Sequence, residues 1–320
     1  MSTLSLRKTV LLTDPIAPEG EAALSRAAHV IRAPDSSADT IRRLAREAEG
    51  VITRSKLPDD IFEAAPGIRA VVVHGTVTDL VPLAAAAERG VMIVNLPGSN
   101  AQSVAEYCVM AMLMLARNIV SVVETLKGGD WDGARALGAG THEIAAMTLG
   151  IVGVGEIGKR LAVICRQGFG MRVLGHQRRL DRLPAESEGT DLRSLLQESD
   201  FVVVTCPLTP QTRHLFNRDT LALMKPTAWL INVGRGAVVQ EQALVAALRE
   251  SRIAGAMLDV YEHYRLEPGH ELLDLQNVIL TPHFAGMTRE SRARMGVAAA
   301  EEMLRMLAGE TPRNPVHAHR

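Results

Sequence analysis

The 320-residue chain reads as an α/β protein of two domains, each a parallel sheet with helices on both faces. Three observations predict this. The length suits two hydrophobic cores rather than one. Short apolar runs alternate with amphipathic stretches through most of the chain, which is the pattern of β-α units. Between residues 148 and 179, one such unit carries Gly153, Gly155 and Gly158 in G-x-G-x-x-G spacing. An apolar run precedes the glycines and a helical pattern follows them, the context that makes the spacing a dinucleotide fingerprint.

In order, the first hundred residues predict strands at 9–13, 29–32, 51–54, 70–73 and 92–95. Helices are expected at 18–28, at 39–48 with Asp39 as its cap, at 58–65 starting on Pro58, and at 83–88. The turn-rich stretch 96–100 marks a boundary. Ser103 and Glu106 have capping-box spacing, so a long helix is expected to begin near them and run to about Asn118, apolar nearly all round and buried between domains or subunits. Residues 128–140 read as an irregular arm carrying Trp131. The fingerprint unit predicts a strand at 149–152, a helix at 157–167 closed by Gly168, and a strand at 171–175. Strands at 201–206, 228–233, 255–260 and 278–281 bring the second sheet to six, with helices at 192–198, 219–224 and 241–250. A long amphipathic helix at 288–307 closes the chain before Gly309, Pro312 and Pro315.

Composition narrows the function. Apolar residues are 47% and charged residues 22%, as in a globular protein that is not membrane-embedded. With aromatics at 3%, the cores must be aliphatic. A net charge of -1 gives no footprint for nucleic acid or an anionic membrane. Cys108, Cys165 and Cys206 lie in apolar segments at unrelated spacings, so they predict buried thiols in a reducing, cytoplasmic setting rather than disulfides or a metal site. The N-terminal residues carry no secretory pattern, and no apolar run approaches the roughly 20 residues needed to span a bilayer.

At the fingerprint, Gly153 permits the tight turn, Gly155 lets the backbone approach a pyrophosphate, and Gly158 lets helix and strand pack closely. The helix N-terminus offers free N–H groups to the phosphates. Beyond the next strand, Gln177 stands where an NAD-selective sheet has an acid, and Arg178 and Arg179 follow it. A carboxylate there repels a 2′-phosphate; two arginines attract one, which favours NADP(H) over NAD(H).

Four further stretches, LPGSNAQSVAEY (96–107), CPLTPQTRHL (206–215), INVGRGAVV (231–239) and 258–286 with its TPHFAG end, occur in this order. Together with the fingerprint they resemble the nicotinamide-dependent D-2-hydroxyacid dehydrogenases over most of the chain. The resemblance implies a Rossmann domain, residues 100–285, inserted into a flavodoxin-like substrate domain made of 1–99 and 286–320. It implies a homodimer and a reaction at C2 of a small D-2-hydroxy or 2-keto acid in the cleft between the domains, running as a reduction. Arg235 matches the arginine that clamps the substrate carboxylate and polarises the carbonyl, and His283 the histidine that moves the proton. Glu156, Ile157, Cys206, Pro207, Thr212, Val233, Gly234 and Asp259 match cofactor-contacting positions, Asp259 at the carboxamide. Gly75, Thr76 and Val77 match the loop that receives the substrate carboxylate.

Two positions depart from the family pattern. Tyr264 stands where a glutamate partners the histidine, leaving Tyr264, Glu262 and Glu267 as candidate partners of His283. A neutral phenol does not hold an imidazolium as a carboxylate does, so the basic limb of the pH–rate profile for reduction is expected at lower pH than in relatives with Glu. Val77 replaces a glycine, which sets the loop differently or narrows the pocket. Arg54 and Lys56 stand ready for a second anionic group on a phosphorylated or sulfonated substrate, or are solvated surface charges. A non-catalytic, nicotinamide-sensing corepressor of the same fold is the competing reading.

Overall fold

The structure is a computed structural model that describes residues 7–76 and 78–316. Contacts divide the chain into two compact units, Met1–Asn100 with Met287–Arg320, and Ala101–Gly286.

In the first unit the elements are β1 (Thr9–Leu12), α1 (Pro18–Ala27), β2 (His29–Arg32), α2 (Ala38–Ala45), β3 (Gly50–Thr53), α3 (Ile61–Ala64), β4 (Ala70–Val73), α4 (Leu83–Glu88) and β5 (Met92–Val94). The strands pair in parallel in the order β2-β1-β3-β4-β5, the flavodoxin-like arrangement. β3 and β4 are buried throughout, so they read as unbroken Val/Ile runs. Successive side chains face opposite layers. Val10, Leu12, Ile52, Ala70, Val72 and Val94 enter one core, while Leu11, Val51, Val71, Val73 and Ile93 enter the other.

The second unit contains α5 (Ala101–Ala116), α6 (Ile119–Lys127), α7 (Trp131–Ala136), β6 (Thr148–Val152), α8 (Glu156–Phe169), β7 (Arg172–His176), β8 (Glu188–Gly189), α9 (Leu192–Glu198), β9 (Phe201–Val204), α10 (Arg218–Leu221), β10 (Trp229–Asn232), α11 (Glu241–Arg249), β11 (Gly255–Leu258) and β12 (Val278–Leu280). Its parallel sheet runs β12-β11-β10-β9-β6-β7-β8, a doubly wound Rossmann order reversing between β6 and β9. The seventh strand is the two-residue edge β8, too short to leave a period in the sequence. α12 (Arg289–Leu307) returns the chain to the first unit. There Met295, Ala299, Ala300, Met303 and Met306 cover the Val10–Val72 face. It crosses α1 at Gly20, where an added Cβ would collide with the Gly296 carbonyl.

Several local readings change. Ser37, not Asp39, caps α2, its hydroxyl accepting from Thr40 N–H; Asp39 pairs with Arg42 at 3.1 Å. α3 is one turn, because Pro58 sits before it and its carbonyl only receives the Ile61 N–H. α5 begins at Ala101, which leaves Ser103 inside the helix, and its buried residues join the second unit's core against α8. The expected arm is helical: α6 follows a 59° bend at the left-handed Asn118, and Asp130 caps α7 by accepting from Gly133 N–H at 2.8 Å. α8 runs past Gly168 and stops at Gly170, whose φ of 65° ends the helix. No single helix among the described residues is long and apolar enough to cross a membrane.

Candidate active site

The sequence-predicted groups of the second unit gather at the carboxyl ends of its strands, the edge where open α/β sheets bind ligands. The glycine turn follows β6. Gly153 has φ +94°, and a Cβ there would lie 2.6 Å from the Cys206 Cα. A Cβ on Gly158 would lie 3.0–3.1 Å from Gly153 O and the Ile151 side chain, so helix and strand pack closely there. A Cβ on Gly155 would meet nothing within 4 Å, so the turn leaves open space in front of the α8 N-terminus. That is the cradle a pyrophosphate fills, with the first-turn amides of Glu156 and Ile157 behind it. The Glu156 carboxylate turns to Lys159 at 3.0 Å. These residues fit a dinucleotide.

After β7, the Gln177 amide donates to the Arg179 carbonyl at 2.8 Å and Arg179 pairs with Asp181 at 2.8 Å. Arg178 is exposed beside them. Of the two expected phosphate ligands, one is thus already engaged by an acid. Beyond β9, Cys206 is buried, and burial pushes its thiol up to about 11, so it stays a neutral wall. Pro207 and Thr212 form one turn: the Thr212 hydroxyl donates to the Pro207 carbonyl at 2.7 Å and accepts from Thr209 N–H at 2.8 Å.

Arg235 follows β10 in a turn wedged between two backbones. A Cβ on Gly234 would lie 2.8 Å from the Cys206 carbonyl, and one on Gly236 would collide with Tyr261. Asn232 ties the turn down, accepting from Gly234 N–H at 3.1 Å and donating to the Arg235 carbonyl at 3.2 Å. Val233 continues the strand by donating to Val204 O. The half-buried guanidinium donates to the Gly234 carbonyl at 2.8 Å, which orients its fork.

His283 follows β12 with φ +55°, a left-handed conformation rare for a residue with a Cβ. Tyr264, 70% exposed and itself at φ +64°, meets it edge-on with ring centroids 6.0 Å apart. Of the other candidate partners, Glu262 is engaged by other groups. Glu262 accepts from His214 at 2.7 Å and from Glu241 N–H at 3.2 Å, and Glu267 is exposed. Burial pushes the Glu262 carboxyl up, but these hydrogen bonds outweigh it and hold the group below its usual range. His270 pairs with Glu241 at 2.9 Å.

Asp259 follows β11. It is 2% exposed, and its carboxylate accepts from the Thr281 hydroxyl (2.7 Å), Phe284 N–H (2.9 Å) and Ala285 N–H (3.0 Å). Tyr107, Thr281 and Tyr261, none of which the sequence singled out, complete this cluster. Their only sequence signal was their place inside recognisable stretches.

In the first unit, Gly75 makes a tight turn after β4, its N–H donating to Val73 O at 2.7 Å, and Asn95 donates to the Thr76 carbonyl at 2.7 Å. Val77 lies outside the described residues. Just before the turn, His74 is buried with no hydrogen-bond partner on either ring nitrogen. Burial, with Arg54 adding to it, pushes its imidazole down to about 4. Arg54 is exposed and Lys56 pairs with Asp59 at 3.5 Å. No group of three or more metal-ligating side chains occurs among the described residues.

Comparison with known proteins agrees with this geometry. Residues 109–285 match the family model described as D-isomer specific 2-hydroxyacid dehydrogenase, NAD binding domain. A glyoxylate reductase of Aeropyrum pernix is 38% identical over 87% of this chain and 86% of its own. A D-3-phosphoglycerate dehydrogenase of Methanocaldococcus jannaschii is 35% identical over 96% of this chain, which spans 59% of that longer protein. Among solved structures, the NADPH-dependent glyoxylate/hydroxypyruvate reductase of Sinorhizobium meliloti, in complex with citrate, superposes with a TM-score of 0.87 at 28% identity, covering 97% of this chain and 98% of that one.

Proposed function

The chain belongs to the D-isomer specific 2-hydroxyacid dehydrogenase family, and from that premise we propose that it reduces a small 2-keto acid, of the size of glyoxylate or hydroxypyruvate, to the D-2-hydroxy acid with NADPH. The observation that carries this reading is the placement of Arg235, after β10, and His283, after β12, on the same sheet edge as the glycine turn after β6. The reduced nicotinamide ring supplies the hydride. Arg235 binds the keto acid carboxylate with its planar fork and draws charge towards the carbonyl oxygen. His283 holds the proton that this oxygen receives, with Tyr264 against its ring edge. Residues 100–285 are the nucleotide-binding domain and 1–99 with 286–320 the substrate-binding domain.

The preference for NADPH rests on Gln177 and on Arg178, which is exposed next to it. The relatives named above are reductases and dehydrogenases, so the corepressor reading has no support. The protein works in the cytoplasm, where its three free, buried thiols stay reduced. It is a homodimer through the outer faces of α5 to α7.

The test is turnover of glyoxylate, hydroxypyruvate and larger 2-keto acids with NADPH and with NADH. Reduction of a small keto acid, lost by about 10²–10⁴-fold in His283→Asn, is expected. Absence of turnover on every keto acid with both nucleotides sinks the reading. In Arg178→Ala the Michaelis constant should rise for NADPH and hold for NADH; equal rises sink the cofactor preference.

A further inference from the structure

We propose that Asp259 is a positioning residue for His283: its buried carboxylate binds the Thr281 hydroxyl before it and the Phe284 and Ala285 backbone N–H groups after it, and holds His283 in its left-handed conformation. This rests on the assignment of the proton transfer to His283. It differs from the role the family resemblance implies for Asp259, a contact to the cofactor carboxamide.

The geometry is a clasp. One oxygen, Oδ1, accepts from the Thr281 hydroxyl and from Phe284 N–H; the other, Oδ2, accepts from Ala285 N–H. The three donors come from residues before and after His283. A carboxylate has about four acceptor positions, so most of its capacity is spent on this one segment. With Asp259 at 2% exposure, those bonds are what compensate its burial.

Directions in the network follow from chemistry. An ionised carboxylate only accepts, so the Thr281 hydroxyl must donate to it. The Tyr107 hydroxyl, 2.6 Å from Thr281 Oγ1, is then the donor of that pair. Burial raises the Tyr107 phenol far above its ordinary value, which keeps that proton in place. Tyr261 adds a bond from its hydroxyl to the Thr281 carbonyl at 2.7 Å. The Phe284 ring rests edge-on against Tyr107, centroids 5.7 Å apart. Helix α5 and strands β11 and β12 thus converge on residues 281, 284 and 285 and leave the His283 side chain projecting from a fixed frame. A left-handed, non-glycine backbone is strained, and it persists where the surroundings over-determine it.

Asp259→Asn keeps the size of the group but turns one acceptor into a donor that faces a donor. Three readouts separate the roles. At saturating glyoxylate and NADPH, kcat should fall by about 10²-fold, the scale of a misplaced catalytic group. The dissociation constant for NADPH should stay within about threefold of the parent. Hydrogen–deuterium exchange at the amides of Phe284 and Ala285 should quicken at least about tenfold while the interior of β6 and β9 is unchanged. Thr281→Val, which removes one arm of the clasp, should show the same pattern more weakly, and it carries the test if Asp259→Asn does not fold. If Asp259→Asn instead weakens NADPH by more than about tenfold, with kcat at saturation and exchange at 284–285 unaltered, the carboxylate serves the cofactor and the proposal is overturned. If the parent enzyme turns over no keto acid, the functional reading fails separately. The exchange measurement still decides whether the clasp exists.

Discussion

At the scale of single residues, two histidines show how burial and partners set chemistry. His74 is buried without a partner and titrates near 4, against 6.5 when unfolded. Between those pH values the unfolded chain holds more protons than the folded one, so stability rises with pH across that window. Acidifying from pH 7 towards 4 should cost about 3 kcal/mol through this one group. Urea titrations of the parent and of His74→Phe at pH 7 and pH 4.5 check this; the variant should lose less on acidification. His283 meets Tyr264 where relatives with the family pattern carry a glutamate. Tyr264→Glu should move the basic limb of the reductive pH–rate profile upward, because a carboxylate holds the proton on the imidazole to higher pH. A limb that stays in place shows that Tyr264 does not govern the histidine. The residue scale was also where the sequence was most and least legible. Gly153, Gly155 and Gly158 announce themselves by their spacing between a strand and a helix, with Gly153 at a φ of +94° that favours glycine, whereas the Asp259 clasp joins residues 22 to 26 positions apart and leaves no local pattern.

At the scale of elements, the strands were legible because central ones such as β3, β4, β9 and β11 are short, unbroken apolar runs buried on both faces, and the helix ends were not. Asp39 has a capper's chemistry, but Ser37 is the residue whose extended backbone lets its oxygen reach the first turn. α7 was hidden because Gly128, Gly129 and Gly133 read as breakers, while the Asp130 cap starts a helix that contains Gly133. Glycines inside helices separate two cases. Gly20 in α1 lies against the Gly296 backbone of α12, so Gly20→Val should destabilise by about 3 kcal/mol or abolish folding. Gly168 in α8 faces open space at an ordinary helical φ, so Gly168→Ala should stabilise by about 0.5–1 kcal/mol. Thermal melts of both variants measure the contrast; similar losses in the two refute the packing role assigned to Gly20.

At the scale of the whole molecule, assembly is the open property. α5 to α7 present Leu113, Ile119, Leu126 and Trp131 to solvent around a groove of about 560 Å³. A contiguous apolar face of this kind is what a two-fold pair of chains covers with one self-complementary patch. Sedimentation should give a dimer for the parent and a monomer for Trp131→Asp combined with Leu126→Asp. A parent that sediments as a monomer at micromolar concentration removes the dimer. The parallel sheets of both units were implied by β-α alternation, but the return of the chain to the first unit was carried only by the family resemblance.

That return has a consequence for synthesis. One face of the first sheet, with Val10, Leu12, Ile52, Val72 and Val94, is covered by α12, which leaves the ribosome only after the whole of Ala101–Gly286. At about 5–20 residues per second, roughly 10 to 40 s separate the making of that apolar face from the making of its lid. During that interval the nascent N-terminal segment is a natural client for chaperones, whereas the nucleotide-binding segment can fold as soon as it has cleared the exit tunnel. A chain stopped by a nonsense codon near residue 286 would release an intact second unit fused to a sheet with one bare side.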